Sequence, residues 1–302
     1  MRVLPFLIPI LSRDGLVDPR VARALGAALW TYDLTGGLRI RKTHERVGRE
    51  RAQALMPTLR GDTVASAYLF YDARADDARL TLCLARTAAA HGATVANRAG
   101  VAGITKGPDG AVRAVTVRAD GSEFDVRARV VVNATGVWAD DVRALDEGSH
   151  PASIRPAKGV HVAVPWSKVR NEIAVILPVP KDRRSVCVVP WGDFTFVGTT
   201  DTDYDGPIDD PQCTPADVEY LLGALNRAVG QPVAAADVTG TWAGLRPLLR
   251  TAASARTADL SRRHGVRVSE SGVLTVTGGK LTTYRRMAAD TACACRPAAS
   301  SP

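Results

Sequence analysis

The sequence predicts an α/β (mixed α+β) protein in two parts: an incomplete Rossmann-like domain carrying a β-meander, and an antiparallel-sheet domain. Three observations predict it. Turns at Pro108-Asp109-Gly110 and Ala119-Asp120-Gly121-Ser122 separate three strand-like stretches, 101–105, 111–118 and 123–132. The apolar runs 129–132 and 273–276 each lead into a glycine-bearing turn and a helical stretch, as strands buried on both faces do. Four short strands at 160–164, 173–177, 185–189 and 194–198 are separated by Pro or Gly, the punctuation of an antiparallel sheet.

Taken in order, the run 3–11 is apolar but contains Pro5 and Pro9, and Ser12-Arg13-Asp14 follows where a signal peptide would need small residues. It is far short of the ~20 residues of a membrane helix. It reads as a buried or interfacial loop, and without a signal the chain is expected in the cytoplasm. Asp18-Pro19 opens a helix as N-cap and first residue, ending near Gly36-Gly37. A short helix ends before Pro57, a strand covers 64–71, and Asp76-Asp77 start a helix with Leu80, Leu84 and Ala88 on one face and Gly92 as its stop. A short strand is expected at 93–96. Thr214 caps a helix whose first residue is Pro215, and a last helix begins near Thr282. The linear boundaries are a helical part of the substrate/cap region at 1–63, a meander-bearing partial nucleotide domain at 64–148, the antiparallel substrate-binding domain at 149–264, a return strand and helix at 265–292, and a disordered tail at 293–302.

Composition excludes several classes. A chain of 302 residues is long enough for about two domains. With 46% hydrophobic and 23% charged residues it is an ordinary globular composition, too apolar for disorder. Gly 26 and Pro 18 follow no fibrous period. Five cysteines, an odd number without Cys-x-x-Cys spacing, give neither a disulfide scaffold nor a zinc site. The net charge of +8 favours anionic partners, but no aromatic-and-basic stripe points to nucleic acid.

Three sets of residues could carry chemistry. At Gly278-Gly279-Lys280 a strand turns into a helix; glycines admit close backbone approach, and the helix N–H groups attract an anion or an electron-rich ring. The plain alternative is a tight turn with an exposed lysine. Leu274 and Leu281 stand where a P-loop needs Gly and Ser or Thr. Arg246, in an apolar context, and Arg262 beside Arg263 could grip a phosphate bidentately, although a lone arginine more often makes a structural ion pair. Of five histidines, His161 in Lys158-Gly159-Val160-His161 is the candidate for proton transfer; His44 and His91 read as surface residues. No Gly-x-Ser-x-Gly elbow exists, so a serine hydrolase has no support.

The octapeptide Gly278-Gly279-Lys280-Leu281-Thr282-Thr283-Tyr284-Arg285 resembles a signature of FAD-dependent, quinone-linked glycerol-3-phosphate dehydrogenases, within the D-amino-acid-oxidase and glycine-oxidase-like superfamily. Asp76-Asp77-Ala78-Arg79-Leu80, Asn133-Ala134-Thr135-Gly136-Val137-Trp138, Lys158-Gly159-Val160-His161, Gly198-Thr199-Thr200-Asp201 and Gly244-Leu245-Arg246-Pro247 agree in order, from about Pro5 to Asp290. The resemblance implies an enzyme that oxidises sn-glycerol 3-phosphate to dihydroxyacetone phosphate by hydride transfer to FAD, passing electrons to a quinone at the inner face of the cytoplasmic membrane. It implies that Arg246, Arg262 and Lys280 hold the substrate, and that His161, with Arg246 close by, accepts the proton. It places Asn133, Ala134, Thr135, Gly136, Gly278, Gly279, Lys280, Leu281 and Thr282 at the cofactor.

The chain departs from that family in lacking any Gly-x-Gly, hence the pyrophosphate cradle, and it is expected to begin and end inside the family's sequence. Two alternatives stay open: an inactive remnant, and another flavin oxidase acting on an amine or a hydroxy acid.

Overall fold

The computed structural model describes residues 2–11, 19–37, 40–148, 151–179, 184–250 and 263–299. The chain forms two compact units. Unit 1 comprises Met1–Asp76, Gly159–Thr200 and Gln212–Gly244; unit 2 comprises Asp77–Lys158, Asp201–Pro211 and Leu245–Pro302.

In unit 1, strands β1 (Arg2–Leu11), β2 (Glu45–Gly48), β3 (Val64–Arg74), β8 (Ile154–Pro165), β9 (Ala174–Pro178), β10 (Ser185–Trp191) and β11 (Phe194–Gly198) lie in the order β8-β11-β10-β9-β1-β3-β2. The first and last residues of β8 fall in different units. The four expected antiparallel strands are present and pair as neighbours, Val162 against Val197 and Val188 against both Val197 and Val175. Side chains alternate between two faces, as strand geometry requires. Leu7, Leu69, Val162, Val175, Val188 and Val197 enter one large apolar cluster with α2 (Arg49–Leu55) and α5 (Pro215–Asn226). Phe6, Ile8, Ile10, Tyr68, Phe70 and Ile176 meet Ala22, Leu25 and Leu29 of α1 (Pro19–Tyr32). The expected cap of α5 is present: the Asp217 N–H donates to Thr214 Oγ1 at 3.3 Å, and the Asp217 carboxylate accepts from the Thr214 N–H and hydroxyl at 2.9 and 2.7 Å. Asp18, expected to cap α1, lies outside the described residues.

Several expectations are corrected here. The run 3–11 is not a loop but β1, with Leu7, Ile10 and Leu11 buried and Val3 exposed. The prolines misled: a central strand tolerates them because parallel pairing with β9 reaches only Phe6 and Leu7, so Pro5 and Pro9 fall outside that ladder. Segment 1–63 is not wholly helical, because β1 and β2 put part of it in the sheet of the antiparallel strands. That sheet is accordingly not contained in 149–264. His44 is not a surface residue; its Nδ1 lies 2.7 Å from the buried Asp33 carboxylate.

Unit 2 contains α3 (Asp77–Ala90), the meander β4 (Ala99–Lys106), β5 (Val112–Ala119) and β6 (Ser122–Arg127), β7 (Val132–Asn133), α4 (Ala139–Glu147), β12 (Thr202–Asp203), β14 (His264–Val268), β15 (Leu274–Gly278) and α6 (Tyr284–Ala299). Strand β13 (Gly240–Leu249) starts in unit 1, ends in unit 2 and pairs with β8. The meander is antiparallel, in the order β4-β5-β6, and a second sheet runs β14-β15-β7. β7 and β15 are parallel, with Val132 against Leu274 and Asn133 against Thr275. The strand expected at 129–132 shrinks to two residues; Val132 is 42% exposed, so that run is not buried on both faces. Residues 93–96 form no strand and are exposed. The tail expected to be disordered from 293 is helical to Ala299, consistent with the high helix propensity of Ala292, Ala294, Ala298 and Ala299. Among the described residues no helix is long and apolar enough to cross a membrane.

Helix α4 joins these pieces through its acids. Asp146, buried, accepts from Ser269 Oγ and Ser271 Oγ at 2.6 Å each and lies 3.1 Å from Lys106 Nζ. Asp140 accepts from the Ser153 hydroxyl and from the N–H groups of Ser153 and Ile154. Burial pushes both carboxyl pKa values up, but the hydrogen bonds outweigh it and leave both below the usual value, with Lys106 adding to the effect at Asp146. A carboxylate with a depressed folded-state pKa stabilises above the unfolded value and loses that contribution as pH falls through the folded value. Asp146→Asn is therefore expected to destabilise unit 2 at pH 7 by about 1–3 kcal/mol, and to differ little from the parent in strong acid. Urea unfolding midpoints of both proteins, taken across the acid range, check it.

Candidate functional site

The β7–β15 ladder brings two segments far apart in sequence side by side. The turn after β7 and the turn after β15 open on one cavity of about 640 Å³, wholly within unit 2. Ala134, Gly278, Gly279, Lys280 and Leu281 line it, together with Val132, Pro247 and Val276. α6 supplies Tyr284, Met287, Ala288, Thr291, Ala292 and Cys295, the i, i+3, i+4, i+7 spacing of one helix face. That periodicity was readable in the sequence, but apart from Tyr284, the seventh residue of the octapeptide, those residues were not singled out there.

Each turn has a local cause. Asn133 is buried, and its amide donates to Ala139 O at 2.9 Å while its carbonyl accepts from the Thr135 hydroxyl at 2.7 Å. Its side chain therefore pins the turn into α4. Gly278 and Gly279 both hold φ +75°, a region open to glycine. A Cβ on Gly278 would lie 2.5 Å from the Arg263 carbonyl oxygen, and one on Gly279 would collide with the Met287 side chain. The Lys280 N–H donates to Thr283 Oγ1 at 3.1 Å, and that hydroxyl donates to Lys280 O at 2.9 Å, starting the turn before α6. Among the described residues Lys280 has no carboxylate partner. The far side is fastened by His264 Nε2 and Arg286 Nε, at 2.9 and 3.0 Å from the Asp290 carboxylate.

Of the residues singled out in the sequence, Ala134, Gly278, Gly279, Lys280 and Leu281 come together on the cavity. Asn133, Thr135, Gly136 and Thr282 belong to its two turns without lining it. Arg246 adjoins the lining residue Pro247, and its Nη1 lies 3.3 Å from the Asp201 carboxylate. Asp201 was visible only as part of a motif, and pairing it with Arg246 requires the fold. His161 is in unit 1, well inside β8 rather than at its head, stacked on Trp242. Arg262 lies outside the described residues.

A strand, a double-glycine turn and a helix thus close over one apolar cavity. The family model for FAD-dependent oxidoreductases of the DAO type matches residues 14–285, and the chain belongs to that family. Within it, the chain is similar to glycerol-3-phosphate dehydrogenase 2 of Mycobacterium tuberculosis, 39% identical over 292 residues, which are 96% of this chain and 48% of that protein. It is also 37% identical over 269 residues to the human mitochondrial glycerol-3-phosphate dehydrogenase, covering 86% of this chain and 37% of that one. The glycerol-3-phosphate dehydrogenase from Bacillus halodurans, solved in complex with FAD, superposes with a TM-score of 0.79 at 28% identity, over all of this chain and 53% of that one. The chain thus spans about half the length of the mycobacterial relative. Glycine oxidase from Geobacillus kaustophilus, at 18% identity and a TM-score of 0.62, shares the fold, which bears out the expected fold class.

The residues present suit the ring end of FAD: an apolar cavity, two glycines and one cation at a helix start. No Gly-x-Gly among the 302 residues offers a cradle for the pyrophosphate. Gly278→Ala is expected to lower stability by 2 kcal/mol or more, about 1–2 from the left-handed backbone and the rest from the Arg263 contact. Gly136→Ala, also at positive φ but with nothing within 4 Å, should cost only the backbone part. Denaturant midpoints of the pair check the difference.

Proposed function

We propose that this chain is the flavin-ring and substrate portion of an FAD-dependent glycerol-3-phosphate dehydrogenase, oxidising sn-glycerol 3-phosphate to dihydroxyacetone phosphate with electrons passing to a quinone at a membrane surface. The observation that carries it is the cavity where Ala134 meets Gly278, Gly279, Lys280 and Leu281, residues of the two stretches that carry the sequence resemblance. FAD, when bound, supplies the two-electron acceptor. Ala134, Gly278, Gly279, Lys280 and Leu281 would hold it, with Asn133, Thr135, Gly136 and Thr282 shaping the two turns.

The chain's own groups then bind the substrate and move its proton. A phosphate dianion needs fixed cations, and Arg246, Arg262 and Lys280 supply them. Asp201 orients the Arg246 guanidinium. Loss of hydride from C2 of an alcohol requires loss of the hydroxyl proton, and His161 is the acceptor, a role that Arg246 shares. The apolar cavity wall excludes water from the ring.

A second reading, that the chain does not retain flavin by itself, is favoured by the lack of any Gly-x-Gly. Visible spectra of the protein after FAD loading and desalting separate the two. A retained flavin band that bleaches with glycerol 3-phosphate supports the dehydrogenase. Bleaching by glycine or sarcosine instead assigns an amine oxidase, and no retained band means that the ring-holding residues alone do not suffice. In FAD-loaded protein, Arg246→Ala is expected to raise the half-saturating glycerol 3-phosphate concentration roughly tenfold or more, the loss of a charge-assisted hydrogen bond. Titrating the bleaching rate against substrate checks it.

A further inference from the structure

We infer that Gly198 and Trp242 are positioning residues that hold the His161 imidazole in a single orientation. The inference rests on the reading of His161 as proton acceptor. His161 on β8 stands directly opposite Gly198 on β11. A Cβ built on Gly198 would reach the ring itself, 2.6 Å from Cγ and 2.7 Å from Nε2. No other residue type leaves that space. Glycine inside a strand weakens it and marks a close approach, here by the imidazole.

The imidazole also meets Trp242. The two rings are stacked, with centroids 5.2 Å apart and planes 6° from parallel. Trp242 is itself held: Phe196 meets it edge-on at 4.8 Å, and Trp191 stacks on Phe196 at 5.3 Å. The row ends at Arg74, whose guanidinium lies 4.3 Å from the Trp191 ring centroid and donates to Pro190 O at 2.7 Å.

The apolar core does not explain this row. Val160, Val162 and Val197 enter the core from the opposite face of the same strands, and Trp242 is 42% exposed. A large aromatic left partly in water over one histidine restricts that ring, and proton transfer depends on ring orientation. β11 (Phe-Thr-Phe-Val-Gly) and the 240–244 stretch of β13 carry no titratable side chain, so these two strands act on the ring by shape and π-stacking.

NMR of the full chain tests it. The parent should show a nuclear Overhauser contact between His161 Hδ2 and Gly198 Hα, and a ring-current shift of the His161 signals away from those of exposed His91. Trp242→Ala should lose both while the amide shifts of Val162 and Val197 stay in place, and Trp242→Phe should restore them. Gly198→Ala should displace the ring; if that variant does not fold, the Trp242 pair decides. Contact and shift unchanged in Trp242→Ala would overturn the inference, as would a Phe variant as defective as the Ala one. In FAD-loaded protein, Trp242→Ala should slow bleaching without moving the half-saturating substrate concentration. His161→Asn that bleaches at the parent rate would instead defeat the proton-acceptor reading and leave the cradle standing.

Discussion

The parallel ladder between β7 and β15 is two residue pairs long, and the candidate site exists because those pairs form. So short a ladder is weak by itself, since parallel pairing gains less per residue than antiparallel pairing. Asn133 compensates. Its side chain closes the turn on Thr135 and Ala139 and lies 3.5 Å from the Thr275 hydroxyl on the neighbouring strand. A buried amide with partners on both sides fixes register where apolar packing cannot. The turn that presents Ala134 to the cavity is thereby set before any ligand arrives.

The two units are stabilised by different physics. Unit 1 holds the large apolar cluster, built from strand residues alternating between two helix-covered layers. Unit 2 has few fully buried apolar side chains among its described residues: α3 has none, and Phe124 and Val126 on β6 are 50% and 45% exposed. Its parts are tied by carboxylates instead. Glu147, with Arg143 and Arg267, adds to the links made by Asp140 and Asp146, and Asp290 ties β14 to α6. Hydrogen-bonded carboxylates fix position well, and each buried one contributes about 1–3 kcal/mol that is lost on protonation. Unit 2 is accordingly the acid-sensitive part of the chain.

Local sequence signals were legible where local physics decides. The β8 to β11 strands, the Thr214 cap and the double-glycine turn follow from turn chemistry and side-chain periodicity, and the structure contains them. The failures have a common cause. Pro5 and Pro9 argue against a strand unless the ladder on one side is known to stop short of them, as the one with β9 does, and that is tertiary information. The run 129–132 has the composition of a buried strand, yet burial requires neighbours that composition cannot supply. His44 reads as a surface residue until Asp33, eleven positions earlier, is seen to reach it. Motif matching found the residues of the cavity wall, but not Met287 or Cys295, which reach it only through the helix repeat of α6.

The chemistry of the cavity also bears on what it can hold by itself. Its wall is mostly aliphatic and aromatic, from Val132 and Val276 to Tyr284 and Met287, with Lys280 the one cation among its lining residues. Such a wall favours a flat, weakly hydrated ring and disfavours a pyrophosphate, whose charges need several converging N–H groups or cations. Ring burial and one lysine would contribute part of the affinity for a dinucleotide; the anionic remainder needs donors of another kind. Orientation is the stronger contribution of these residues. The glycine pair, closed against Arg263 O and Met287, fixes the backbone at one edge of the cavity, and the Asn133 turn fixes it at the other. A ring admitted between them meets two preset edges rather than a loop that must first be ordered, so little binding energy goes into ordering the site.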